Sequence, residues 1–253
     1  MSPTEIASIV FACMFGGALL GMFLSAFLPE HHLNEDSKDV IKLGMGLIAT
    51  MAALVLGLVI AAAKSSYDAQ DAAVKHSAAK VLLLDRVLSD YGPETKETRD
   101  LLRRAVVYRL DEIWPEDRFQ RARLEPRDAV FRAEGIEAGI LQLVPQNVSQ
   151  RWLQSQALQI TSDIMETRWL VLGGQGSSVP VPFLVVVVFW LTIIFGSFGL
   201  FSPRNTTVFA VLFLCALSVA GSIFLILEMD QPFKGLMKIS SAPLRYTLSH
   251  LGQ

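Results

Sequence analysis

Two apolar runs, Phe183–Phe201 and Thr207–Leu227, contain no charged residue and are joined by the short polar turn Ser202-Pro203-Arg204-Asn205-Thr206. A helix of about 20 residues rises roughly 30 Å, the thickness of a bilayer's hydrocarbon core, so this pattern predicts a membrane hairpin. Ile6–Leu28 and Leu43–Ala63 form a second such pair near the start of the chain. The first of these is longer than the apolar region of a signal peptide. No basic segment precedes it, and Ala26-Phe27-Leu28-Pro29 is a poor cleavage site, so it is expected to be a retained helix. Its Cys13, Gly17, Gly21 and Ser25 recur every four residues. A small-residue stripe lets another helix's backbone come close where no hydrophobic effect drives association, and Gly17, Gly21 and Ser25 are therefore the expected helix-packing positions. Leu43–Ala63 is rich in Gly and Ala and should pack against protein on at least one face.

Between the spans the pattern stays helical but turns amphipathic. Pro29–Lys42 reads as a polar hairpin loop; its His31-His32 pair lies near carboxylates, but adjacent residues on a helix diverge, which argues against a shared metal. Past Lys64, the residues Val74, Ala78, Val81, Leu82 and Asp85 keep a period near 3.6 with no Pro or Gly before Tyr91-Gly92-Pro93. The second span is thus expected to run on into water as one rod. Further helices are predicted over Pro93–Ile113, from Pro126 to about Val144, and over Val148–Leu172, the last closed by Gly173-Gly174-Gln175-Gly176. These glycines do not make a phosphate loop, since no strand precedes them and no Lys-Ser/Thr follows.

Composition sharpens this reading. Mean hydropathy is +0.43, with 52% hydrophobic and only 18% charged residues, against about a quarter charged in soluble domains. Acids and bases are nearly balanced in the middle region, which suggests salt-bridged helix faces and no nucleic-acid partner; a vestibule lined by its arginines, among them Arg99, Arg109, Arg118 and Arg132, is the sharper alternative. Cys13 and Cys215 fall in apolar runs and read as small hydrophobes. No catalytic motif, metal-ligand spacing or cofactor fingerprint appears, so neither an enzyme nor a cofactor is expected. No acid lies within a span, which speaks against transport coupled through a buried carboxylate and leaves a passive pore open.

Lys64, Lys75, Lys80, Arg168, Lys234, Lys238 and Arg245 on one side outnumber Lys38, Lys42 and Arg204 on the other, which orients both termini and the soluble region toward the cytosol. The expected fold is an all-α integral membrane protein with four transmembrane helices and a helical cytosolic domain between the second and third. Residues 1–63 form the first hairpin (6–28, 43–63), 64–178 the soluble domain, 179–230 the second hairpin (183–201, 207–227) and 231–253 a cytosolic tail.

Several motifs carry a family resemblance: Lys64-Ser65-Ser66-Tyr67-Asp68, Leu84-Asp85-Arg86, Tyr91-Gly92-Pro93-Glu94, Thr167-Arg168-Trp169, Phe195-Gly196-Ser197-Phe198-Gly199-Leu200 and Leu227-Glu228-Met229-Asp230-Gln231-Pro232-Phe233-Lys234-Gly235. From about Gly17 to Leu248 the chain resembles the bacterial bestrophin-like family, itself distantly similar to the bestrophin anion channels. The resemblance implies a homo-oligomeric channel in a bacterial inner membrane, five copies by analogy, in contact with lipid and passing inorganic anions such as chloride. Two departures stand out. Only Glu228 and Asp230 follow the last span where bestrophins carry a calcium-binding acidic cluster, and Leu43–Ala63 has no aromatic residue to narrow a pore.

For a channel, the residues to place at a constriction are Thr50, Thr192, Phe195, Ser197, Phe198 and Phe201, the hydroxyls as donors and the rings as a dewetting gate. Each also reads plainly as helix packing. Asp230, Pro232 and Phe233 read as a membrane-exit motif, in which Asp230 or Gln231 caps backbone and Pro232 turns the chain. The alternative function is a non-conducting scaffold or sensor whose soluble helices bind a partner.

Overall fold

The computed structural model describes residues 2–27, 35–115, 128–173, 181–233 and 235–252. His31-His32, the charged run 116–127, the glycine link at 174–178 and Lys234 lie outside the described residues, as do the side chains of Arg132 and Trp169. Every regular element among the described residues is helical: α1 (Pro3–Leu24), α2 (Glu35–Tyr91), α3 (Lys96–Ile113), α4 (Asp128–Leu141), α5 (Val148–Gly173), α6 (Val181–Phe201), α7 (Thr206–Met229) and α8 (Ala242–His250). Four of them, α1, α2, α6 and α7, are long and apolar enough to cross a membrane.

Local chemistry sets the helix ends. Ser2 caps α1 in a capping box, its Oγ accepting the Glu5 N–H at 3.2 Å while the Glu5 carboxylate accepts the Ser2 N–H at 2.7 Å. Asn205 caps α7 through Val208 N–H at 2.8 Å, and Asn147 accepts Gln150 N–H at 2.8 Å at the start of α5. α2 runs for 57 residues because nothing between Glu35 and Tyr91 breaks it. It stops at Gly92, whose φ of +143° suits glycine, and a 3-10 turn at Pro93–Thr95 leads into α3.

The structure departs from the pattern in four places. α1 spans Pro3–Leu24 where Ile6–Leu28 is expected. α2 begins at Glu35, inside the expected loop Pro29–Lys42, and an Asp39–Lys42 pair at 3.0 Å supports its early turns. α4 ends at Leu141, short of Val144, and Gln154 Nε2 donates to the Leu143 carbonyl (3.0 Å) and to that of Ile140 (2.8 Å), which also accepts the Leu143 N–H at 3.3 Å. Residues 231–253, read as a tail, carry α8.

Two compact units emerge. The first comprises Met1–Tyr67 and Ser177–Met237, the second Asp68–Gly176 and Lys238–Gln253. In the first, Val10, Met14 and Ala18 of α1 bury themselves against Phe195 of α6 and Leu212, Ala216, Ala220 and Ile223 of α7. Phe11 and Phe15 stand edge-on to Phe213 at 5.4 Å in both cases, adding aromatic contacts to that core. In the second unit α8 is held by two buried hydrogen bonds: Thr247 Oγ1 donates to Ala78 O (3.1 Å), and Trp114 Nε1 donates to Ile239 O (2.8 Å) just ahead of it. Asp85, nearly buried, takes both nitrogens of Arg99 at 2.7 and 3.0 Å and the Gly252 N–H at 3.2 Å. The tail thereby becomes part of the core of the second unit, which hydropathy alone does not reveal.

Candidate functional site

The glycines of the membrane unit fall into two groups. Gly17 and Gly21 of α1 and Gly199 of α6 are closed, whereas Gly16 of α1 and Gly221 of α7 meet nothing within 4 Å. A Cβ on Gly21 would overlap the Gly196 carbonyl, one on Gly199 would overlap the Ala18 carbonyl, and one on Gly17 would meet Thr192 O at 3.0 Å. These helices therefore approach backbone to backbone, as small residues allow in a bilayer. Ser25, next along the stripe, donates to Met22 O at 2.7 Å, and Arg204 of the α6–α7 turn reaches the same carbonyl at 2.6 Å.

On α2 the glycines are open. Nothing lies within 4 Å of a Cβ built on Gly44, Gly46 or Gly57. Spaced three or four residues apart, Gly46, Thr50, Ala53, Gly57 and Ala61 share one helix face, and all five are exposed. The opposite face is the buried one: Val59 and Ala63 pack on Ile226 of α7, with Val55 and Leu56 beside them. Leu43, Leu47, Leu54 and Leu58, each at least 64% exposed, flank the small face. Lys64 continues the face at its far end.

The six residues expected at a constriction are scattered. Thr50 is exposed on the open face, with its hydroxyl donating to Gly46 O at 2.8 Å. Thr192 donates to Val188 O at 2.7 Å and lies against Gly17. Phe195 is 5% exposed, which puts its ring in the α1–α6–α7 core and away from the protomer's surface. Ser197 and Phe201 are half-buried; Phe198 is 48% exposed and meets Phe195 edge-on at 6.3 Å. The structure brings Thr192, Phe195 and Phe198 onto one helix with the closed glycines, and leaves Thr50 apart from them.

At the exit of α7, Asp230 supplies its backbone N–H to Ile226 O at 3.2 Å, and Pro232 is buried beside a half-buried Phe233. The side chain that ties the exit is Glu228, expected only as one of the two acids following the last span. Glu228, 5% exposed, accepts the Leu236 N–H and fills the space beside Gly235, whose φ is +82°. An acid two residues before an Asp-x-Pro exit is a visible signal, but only the return of the chain shows what it binds.

No group of three or more His, Cys, Asp or Glu side chains able to hold a metal occurs among the described residues. The bestrophin-like domain model matches residues 12–244. The chain belongs to the bestrophin-like family. No curated protein and no solved structure matches it. In this bestrophin-like membrane protein the match runs from within α1, through α2 to α7, to the start of α8.

Proposed function

We propose that the chain is the subunit of a homo-oligomeric membrane channel that passes anions such as chloride, with α2 facing the path between copies. The observation that carries this reading is the open face Gly46-Thr50-Ala53-Gly57-Ala61. Inside a bilayer no hydrophobic force favours leaving glycines bare toward lipid, and such faces are met by another backbone or by water. The same helix is anchored on its reverse by Ile226, so one face is fixed and the other is left for a neighbour or a pore. Of the six constriction residues, Thr50 is the one on this face, and Lys64 at its end offers an anion a cation close to the membrane surface. Membership of the bestrophin-like family supports a channel, and the excess of Lys and Arg beside the soluble unit supports its placement in the cytosol of a bacterium with the channel in the inner membrane.

The test is the mass of the assembly in nanodiscs. The wild type is expected as a ring of several copies, with a Gly46→Leu/Gly57→Leu variant shifted to smaller species while its helix content is unchanged. A wild-type monomer, or an assembly indifferent to both leucines, would remove α2 from the interface. It would then favour a non-conducting scaffold whose soluble unit binds a partner.

A further inference from the structure

The soluble unit contains a second feature, unrelated to the membrane face. Five of its helices surround a cavity of about 100 Å³ whose walls include Val81 of α2, Leu102 and Val106 of α3, Ile136 of α4, Ile164 of α5 and Leu244 of α8. The charged residues on its lining are Arg109, Glu112 and Arg168, two cations against one acid. Both arginines are half-buried, whereas Glu112 is exposed.

These two arginines are handled differently from the other half-buried cations of the unit. Arg99 is paired with Asp85 at 2.7 Å and Lys80 with Asp163 at 2.6 Å. Neither Arg109 nor Arg168 makes a hydrogen bond or an ion pair within 4.0 Å among the described residues. Burial pushes the Arg109 guanidinium down from its ordinary value, the neighbouring Arg168 charge adds to that, and Glu112 only partly offsets it. Two like charges, partly dehydrated beside an apolar hollow and with no ion-pair partner among the described residues, are a poor arrangement for an empty protein and a good one for an anion.

We propose that this cavity binds a short-chain monocarboxylate, its carboxylate held by the Arg109 and Arg168 forks and its alkyl end among the apolar side chains. A guanidinium matches a carboxylate through parallel N–H···O bonds. The volume limits the tail: an apolar cavity of about 150 Å³ holds benzene, so roughly 100 Å³ admits about four carbons. Inorganic phosphate would satisfy the arginines but leave the apolar wall wet, and a neutral alcohol would fill the wall but leave the charges unpaired. Binding here does not depend on the channel reading.

The experiment is isothermal calorimetry on the full-length protein in a neutral detergent, with butyrate, acetate, 1-butanol and inorganic phosphate as probes. Butyrate is expected to bind saturably and acetate at least roughly tenfold more weakly, since each methylene is worth about fourfold. 1-Butanol and phosphate are expected to give no saturable heat. Arg168→Gln should weaken butyrate by about tenfold or more. Ala105→Leu, which places bulk in the cavity while keeping both arginines in the chain, should abolish it, giving an independent check if loss of the charge disturbs the fold. Phosphate binding as tightly as butyrate, or butyrate heat unchanged in both variants, would overturn the proposal.

Discussion

Tyr91 shows how a single side chain can be buried without being satisfied. It is 5% exposed at the end of α2, and its hydroxyl has no hydrogen-bond partner among the described residues. An orphaned buried hydroxyl costs about 1–3 kcal/mol, so Tyr91→Phe is expected to leave stability unchanged or raise it by about 1 kcal/mol. The pH dependence follows from the same environment. Burial, reinforced by Glu94, raises the phenol above its ordinary 10.0. The folded chain therefore holds the proton more tightly than the unfolded one. The contribution is whole below about pH 10 and is lost as pH rises from there toward the folded value. Thermal unfolding of wild type and Tyr91→Phe between pH 8 and 11 should run parallel below pH 10 and diverge above it, the wild type falling more steeply; equal slopes above pH 10 would contradict the assignment.

At the scale of the helix, the glycines divide by what they touch. Gly199→Ala drives a Cβ into the Ala18 carbonyl and should cost about 1–3 kcal/mol through overpacking. Gly57→Ala meets empty space within the protomer. Hydrogen exchange in nanodiscs is the discriminating measurement, with faster exchange along α1 in Gly199→Ala and unchanged α1 exchange in Gly57→Ala. The four apolar helices, their order and the small-residue stripe on α1 could be read from the chain, because charge-free runs and four-residue spacing are local signals. The partner of that stripe could not, since Gly196 and Gly199 lie some 180 residues away and nothing local pairs them with Gly21. α8 escaped for a similar reason: Leu244, Thr247 and Leu251 are buried by distant residues, and the segment alone is too short and polar to declare itself. Phe195 was legible as an unusual aromatic cluster, but only the packing shows that its ring is internal.

For the molecule as a whole, two units share one chain and one long helix, and the family match covers both. The proposed conduction rests on residues of the membrane unit and the proposed ligand binding on residues of the second unit, so the two stand separately. The exit of α7, with Glu228 folded back onto Leu236, keeps the membrane unit's last turn closed before the chain enters α8's unit. The central claim is that copies of this chain form an anion path along the open face of α2. Chloride flux from liposomes tests it most directly, using Thr50→Cys with Cys13 and Cys215 replaced by Ala, before and after a bulky thiol reagent. Flux through the unmodified protein, falling once the reagent occupies position 50, is the result expected here. No flux from an intact assembly, or flux untouched by the reagent, would contradict it.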